Sequence, residues 1–470
     1  MIPRMKLAAF LLSALAVPSL LFAGDAGEIA LHPAKDPKQV VDPKDAAAPC
    51  GDQWDKYLFG DWGGVRRTLD DYGVTSAPGY TGEVFGNLKG GSGAGYSSGG
   101  VGRGAIYEHL VNVPLDVDIG KLSGALGGKA WEGTTFHVNG FWIAGPGLSP
   151  SYLGDIHNTS NIQAYNTVRL QELWVQQLFL DKKVSLKAGQ LAADTEFFVT
   201  ETGCLFLNSS FGFPSLIAAN LTDPHLPPSY PTAAPGLRLR VEPRPEVYFQ
   251  AGLYDGNAES QSANPNGTDF HFNTESGALV LAEAGYLLHP GDPQPGVIQG
   301  KYKLGAVVHT HNFNSWQSQA ANAAGTGALV SGGADALLYG VIDQQVVNTK
   351  DGRIVSLFTR AGHGSADRNQ IDWYVDGGTN FCGFVPGRPD DVFGLAVARS
   401  AFSGHYSDFQ FATGAAARPY GAETTIEATY RFQLRPWWTL QPDFQYVFQP
   451  GGVEGAQDAV VLGLRTSVQF

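Results

Sequence analysis

From Val460 to Phe470 the chain alternates with a period of two. Val460, Leu462, Leu464, Thr466, Val468 and Phe470 share one parity; Gly463, Arg465, Ser467 and Gln469 share the other. A strand sends successive side chains to opposite faces, so this segment has one apolar face and one polar or small face. The segment before it repeats the pattern. Leu440, Pro442, Phe444, Tyr446 and Phe448 alternate with Gln441, Asp443, Gln445, Val447 and Gln449. In a water-soluble sheet the apolar face needs a second layer over it. In a transmembrane barrel lipid covers that face and the polar face lines the lumen. Phe470 would then end a strand at the depth where aromatic girdles sit.

The same alternation recurs upstream. Tyr80, Gly82 and Val84 oppose Thr81, Glu83 and Asn87, and Val111, Val113, Leu115 and Val117 oppose Glu108, Asn112, Asp116 and Asp118. Phe136, Val138 and Trp142 oppose His137 and Asn139; Leu173, Val175 and Phe179 oppose Glu172, Trp174 and Gln176. Leu237, Leu239 and Val241 oppose Arg238 and Arg240, and Tyr430, Phe432 and Leu434 oppose Thr429, Arg431 and Gln433. Compact Pro-containing turns at 242–246 and 435–438 alternate with long polar or Gly-rich stretches at 89–104, 146–165, 257–275 and 312–334. Short periplasmic turns and longer outer loops are the asymmetry of outer-membrane barrels. A tilted spanning strand takes about 10 residues, so residues 51–470 accommodate about 16 to 18 strands with their loops, a size that leaves an aqueous channel.

The start of the chain reads as a secretory signal over 1–23. Arg4 and Lys6 precede an apolar stretch broken by Ser13, Pro18 and Ser19, and Ala23 ends it. Residues 24–50 are rich in Pro, Asp, Lys and Ala without a period and read as a periplasmic arm. Residues 51–73 form a periplasmic or plug segment, and 74–470 the barrel. After Ala23 no apolar run is long enough for a spanning helix. Removing 1–23 takes away two cations and no acids, so the net charge of −13 becomes −15. That acidity argues against nucleic acid as a partner. Cys50, Cys204 and Cys382 lie far apart, outside any metal-ligand spacing, and leave any disulfide pairing open.

Taken in order, several strings spread over the mature chain resemble the carbohydrate-selective porins of the OprB family. They include LFGDWGGVRRTLDDYGV, YTGEVFGNLKGG, RLQELWVQQLF, LKAGQLAADTEF, FLNSSFGFP, GLRLRVEPRPEVYFQAGLYDGN, FVPGRPDDVFGLAVAR and TTIEATYRFQLRPWWTLQPDFQYVFQPGG. The resemblance implies an all-β, sixteen-stranded antiparallel outer-membrane barrel that passes small sugars by diffusion. Its implied partners are mono- or disaccharides, outer-membrane lipid, and the barrel-assembly machinery acting through the C-terminal strand. A general or ion-selective porin is the alternative, and a barrel enzyme a second one.

The lumen-parity residues supply the chemistry a sugar channel needs. Glu83, Glu108 and Glu172 accept hydroxyl protons, Arg238, Arg240 and Arg431 donate, and Trp174 offers a stacking face. Glu172, Trp174 and Arg431 are the expected constriction set. The alternation does not assign the loop that narrows the lumen. His309 and His311 share a face but lack a third ligand nearby in sequence, so the expectation is no metal and no cofactor. Asp194 and Glu196 are read as the junction of a strand and a loop. Gly60–Gly64 with Arg66 and Arg67 is read as a structural turn rather than a sugar contact. The G-x-S-x-G match at 95–99 lies in a Gly-rich stretch without the strand and helix of a nucleophile elbow, so a channel rather than an enzyme is expected.

Overall fold

The computed structural model describes residues 53–92, 102–128, 131–222, 224–416 and 419–470. The strands are β1 (Val74–Thr75), β2 (Gly79–Gly91), β3 (Gly104–Asp118), β4 (Thr134–Ala144), β5 (Thr167–Phe179), β6 (Val184–Leu191), β7 (Ala234–Arg244) and β8 (Val247–Asp255). They continue as β9 (Ala278–Leu288), β10 (Gly300–Asn314), β11 (Ser331–Asn348), β12 (Ile354–Gly364), β13 (Ile371–Cys382), β14 (Val392–Phe402), β15 (Ala422–Arg435), β16 (Trp438–Phe448) and β17 (Gln457–Gln469). Each strand from β2 onward pairs antiparallel with the next, and β17 returns to β2 with Leu464 opposite Val84 and Arg465 opposite Glu83. The result is a closed barrel of 16 strands, with β1 a short addition on β3. Closure removes the unpaired edges that a membrane cannot tolerate.

The alternation sorts the two faces as the sequence suggests. On β17, Leu462 and Leu464 are exposed while Val461, Arg465 and Ser467 are buried. Val84, Tyr107, Trp142, Val175, Leu237, Leu239, Leu395 and Phe444 are likewise exposed on the outer wall. Such a surface suits hydrocarbon, and among the described residues no helix is long and apolar enough to cross a membrane. One end carries short turns, such as 180–183, 245–246 and 436–437; the other carries the long loops 145–166, 192–233, 256–277 and 403–421. Two local readings change. The first strand starts at Gly79 and runs on to Gly91, into the stretch read as a loop. Phe470 is buried, because its ring stacks on Phe59 of the N-terminal segment at 5.5 Å.

Candidate functional site

Loop 192–233, between β6 and β7, turns into the barrel. Its Phe197, Phe198, Phe206, Phe211, Leu216 and Ile217 pack against Leu281, Val307, Tyr339, Val341 and Phe358 on the inner wall. Burying a loop leaves its backbone N–H groups in need of acceptors, and lumenal carboxylates supply them. Phe198 N donates to Glu283 (3.2 Å), Thr202 N to Asp343 (3.1 Å), and Leu207 N and Asn208 N to Glu427 (2.7 and 3.0 Å). Arg360 works in the opposite sense. It donates to Phe198 O, Gly212 O and Ser210 O while paired with Asp376 at 2.5 Å, both side chains fully buried.

Loop 145–166 also folds inward. Ile156 N and His157 N donate to Glu423 at 2.8 and 2.7 Å. Burial pushes the His157 imidazole down to about 3, so it stays neutral between Ser400 and Thr425. The two loops lock together where Asn161 N meets Leu207 O (2.7 Å), Ser209 N meets Asn158 O (2.9 Å) and the Tyr230 hydroxyl meets Ile162 O (2.6 Å).

Six of the seven sequence-derived residues fall into two groups on adjoining strands. On β4 to β7, the Trp174 ring stacks on His137 at 4.6 Å with 14° between planes, and Lys187 Nζ lies 4.3 Å over it. Glu172 accepts from Ala192 N at 3.1 Å, at the root of the inserted loop. Arg238 and Lys187 both pair with Glu196. Burial works against the Glu196 charge, but the two cations overcome it and hold the carboxyl at about 2. Arg240 pairs with Glu242 at 2.9 Å and lies 4.0 Å over the Tyr248 ring. In the second group Glu83 and Glu108 face each other in register on β2 and β3, with Glu83 paired to Arg465 at 2.6 Å. Arg431 stands elsewhere, on β15 opposite Val392 and near the 435–438 turn.

Apart from Glu196, read as a strand–loop junction, the residues that complete these groups were not singled out as site residues by sequence. Arg465 lay in plain view at lumen parity in the terminal pattern. His137 and Lys187 carried the same parity signal. Asp194 lies in the short 3₁₀ turn Ala193–Thr195 after β6 and Glu196 caps its end, as a strand–loop junction should. Arg169 was hidden by a bulge: Asn139 pairs with Glu172 but Gly140 pairs with Leu170, so Gln171 is the extra residue. Arg169 therefore turns inward and is buried, although strict alternation from Glu172 would point it outward.

The histidine pair gains a neighbour from the inserted loop, since the His225 ring lies 4.1 Å from that of His311. His309 is already engaged: Nε2 donates to Gly256 O at 2.8 Å and Nδ1 accepts from His311 N at 3.3 Å. Glu259, Asp269 and His271 gather on loop 256–277, where His271 Nδ1 meets Asp269 at 2.6 Å. This is an exposed ion pair in the outer loops. Cys204 Sγ donates to Thr200 O at 3.1 Å and Cys382 Sγ to Pro389 O at 3.7 Å. The G-x-S-x-G match and residues 1–52 lie outside the described residues.

Comparison with known proteins bears on the whole barrel. The sequence profile of the carbohydrate-selective porins, OprB family, matches residues 102–470. Porin B of Pseudomonas aeruginosa is 26% identical over 445 residues, covering 88% of this chain and 91% of that one. Putative porin QuiX of Acinetobacter baylyi is 23% identical over 441 residues, covering 88% and 93%. Among solved structures, the high-pH structure of Pseudomonas putida OprB superposes with a TM-score of 0.77 at 24% identity, over 88% of this chain and 98% of that one.

Proposed function

The chain belongs to the OprB family of carbohydrate-selective porins and is an outer-membrane β-barrel channel rather than an enzyme; from that premise we propose how it conducts sugar. The solute runs along the inner faces of β3 to β7, past Trp174. The observation that carries this reading is the unequal anchoring of the two inserted loops, whose buried backbone N–H groups find most of their carboxylate acceptors on β9, β11 and β15. Those acceptors are Glu283, Asp343, Glu423 and Glu427, and the anchoring fills that side of the lumen. Toward β5 to β7 the first loop makes the Glu196 ion pairs and packs against Trp174, 6% exposed. On β3 to β5 the loops touch Leu110, Phe141, Ile143 and Trp174, and the polar side chains beside those contacts form the wall along which solute passes. Sugars carry hydroxyls around an apolar ring face, so an aromatic ring among charged groups suits them. Trp174, Glu172, Arg238 and Arg240 supply that mixture, with Glu83 and Glu108 beside it. Fixed ion pairs such as Glu196 with Lys187 and Arg238 keep the wall rigid while leaving solute binding weak enough for release.

Mono- and disaccharides are the solutes this width of chemistry fits. Residues 51–73 serve as a periplasmic clasp on the barrel, 1–23 as the export signal and 24–50 as the arm before the clasp. The C-terminal strand is the segment offered to the assembly machinery. Liposome swelling tests the sugar reading. Glucose should enter faster than an amino acid of matched size, and a disaccharide more slowly than glucose but measurably. Equal rates at equal size would assign a general pore instead.

A further inference from the structure

The bulge at Gln171 turns a guanidinium into the channel wall without giving it a carboxylate partner among the described residues. Arg169 is 2% exposed. Its Nη1 donates to the Tyr165 hydroxyl, and the Tyr165 ring lies 5.8 Å away. Its Nε and Nη2 have no hydrogen-bond partner in the protein, and among the described residues no carboxylate pairs with it. Every other buried cation of the β5 to β7 wall is compensated: Lys187 and Arg238 by Glu196. A buried charge without a partner is costly, and an orphaned group of this kind calls for an explanation in function.

Nε and Nη2 form the side-on edge of the guanidinium, the planar fork that matches two oxygens of one carboxylate or phosphate. Near the guanidinium stand the Tyr165 and Tyr230 phenols and, on the neighbouring strand positions, two buried amides. Gln171, two residues along the same strand, is 3% exposed and its Oε1 lacks a partner. Gln190 is 2% exposed and its Oε1 is also unpartnered, while its Nε2 donates to Gly267 O at 3.1 Å. Gly267 adjoins the fork as well, since a Cβ there would stand 3.0 Å from Arg169 Nη2. A cationic fork flanked by amide oxygens asks for a ligand with an oxyanion at one end and hydroxyl donors along its length.

We propose that Arg169, Gln171 and Gln190 form a subsite for the oxyanion end of a polyhydroxylated acid, so that the channel takes up sugar acids as well as neutral sugars. This rests on the sugar-porin reading and extends its substrate class. Gly267 sits on loop 256–277, so the backbone of that loop bounds the subsite from the outer side. Carboxylate and phosphate share the chemistry that the fork recognises, and the test separates them.

The full-length protein in planar bilayers, with solute added on the long-loop side, provides the measurement. Gluconate should block ion current at about tenfold lower concentration than glucose, the gain expected of a charge-assisted bidentate pair over neutral hydrogen bonds. Hexanoate, an anion without hydroxyls, should block no better than glucose. Glucose 6-phosphate matching gluconate assigns a general oxyanion fork, and weaker block assigns carboxylate; both uphold the subsite. Arg169→Gln should raise the half-blocking gluconate concentration about tenfold and leave that of glucose within about twofold. Arg169→Lys should keep ion selectivity but not the gluconate preference, because it keeps the charge without the fork. Equal block by gluconate and glucose in the unaltered protein, or hexanoate blocking as well as gluconate, overturns the proposal without needing any variant to fold. Block by neither sugar nor sugar acid would instead overturn the sugar-porin reading beneath it.

Discussion

At the scale of single residues, parity identified most of the inward-facing side chains of β2 to β7 singled out above, and one insertion concealed another. Glu83, Glu108, Glu172, Trp174, Arg238 and Arg240 turn inward because alternation holds through their strands. Arg169 was illegible because a bulge needs only one extra residue, and nothing in RLQELWVQQLF marks Gln171 as that residue. Removing the Trp174 ring tests its role directly. Trp174→Ala should raise the half-blocking glucose concentration about two- to tenfold, the loss expected for one aromatic contact, with the folded yield unchanged. A changed yield and unchanged block would make Trp174 a brace for His137 and Lys187 instead. Asp194 gives a pH test. Burial raises its carboxyl to about 7, against an accepted bond from Tyr230 N. Its folded value exceeds its unfolded one, so the folded state holds the extra proton. Stability should therefore fall as pH rises from about 4 to about 7 and level off above that. Asp194→Asn should stabilise the barrel at pH 8 and change little at pH 4. Glu196 runs the other way: its depressed value of about 2 means that the stability it contributes is lost only as pH falls below about 4.5 toward 2.

At the scale of elements, β2 to β5, β7 and β15 to β17 announced themselves by period, but the loop that fills the lumen did not. The segment 192–233 is mixed apolar and polar without a repeat, and its partners lie far off in sequence. Phe198 reaches Glu283, Thr202 reaches Asp343, and Leu207 reaches Glu427. Alternation shows that Glu283, Asp343 and Glu427 face inward; it holds no information on what they receive. Arg360 is the staple whose removal should show what the loop does. It joins three loop carbonyls to Asp376 on the adjoining strand. Truncating one member of a buried ion pair costs about 3–5 kcal/mol, and here that cost falls on loop docking rather than on the sixteen ladders. Arg360→Ala should therefore insert and remain heat-modifiable, yet show larger single-channel conductance and a smaller difference between glucose and an amino acid of equal size in swelling rate. Unchanged conductance in folded protein would mean that the apolar packing of Phe197, Phe198 and Phe211 holds the loop without the staple.

At the scale of the whole molecule, the barrel is a closed ring whose last ladder joins the two ends of the chain, β17 to β2. That seam carries an extra fastening. Leu58 N donates to Gln469 O at 2.8 Å, Phe470 N to Pro78 O at 2.9 Å, and Phe59 stacks on Phe470. Arg66, buried against the Tyr57 and Trp62 rings at 3.6 and 4.2 Å, donates to Gly60 O at 2.9 Å and to Phe470 O at 2.5 Å. The Gly60–Gly64 string read as a turn is the bend that presents Arg66 to the seam, and Gly63 and Gly64 have positive φ as such a bend requires. Hydrogen bonds to a charged donor contribute about 1.5–3 kcal/mol in context. Arg66→Ala should lower the temperature at which the folded gel band converts to the unfolded one by several degrees. Conductance and sugar block of the folded fraction should stay as they were, since the substitution lies away from Trp174 and from both inserted loops. That pairing of outcomes separates a fastening of the barrel from a plug of its lumen. If Arg66→Ala instead raises conductance at unchanged thermal stability, residues 53–73 obstruct the pore and the seam closes without them.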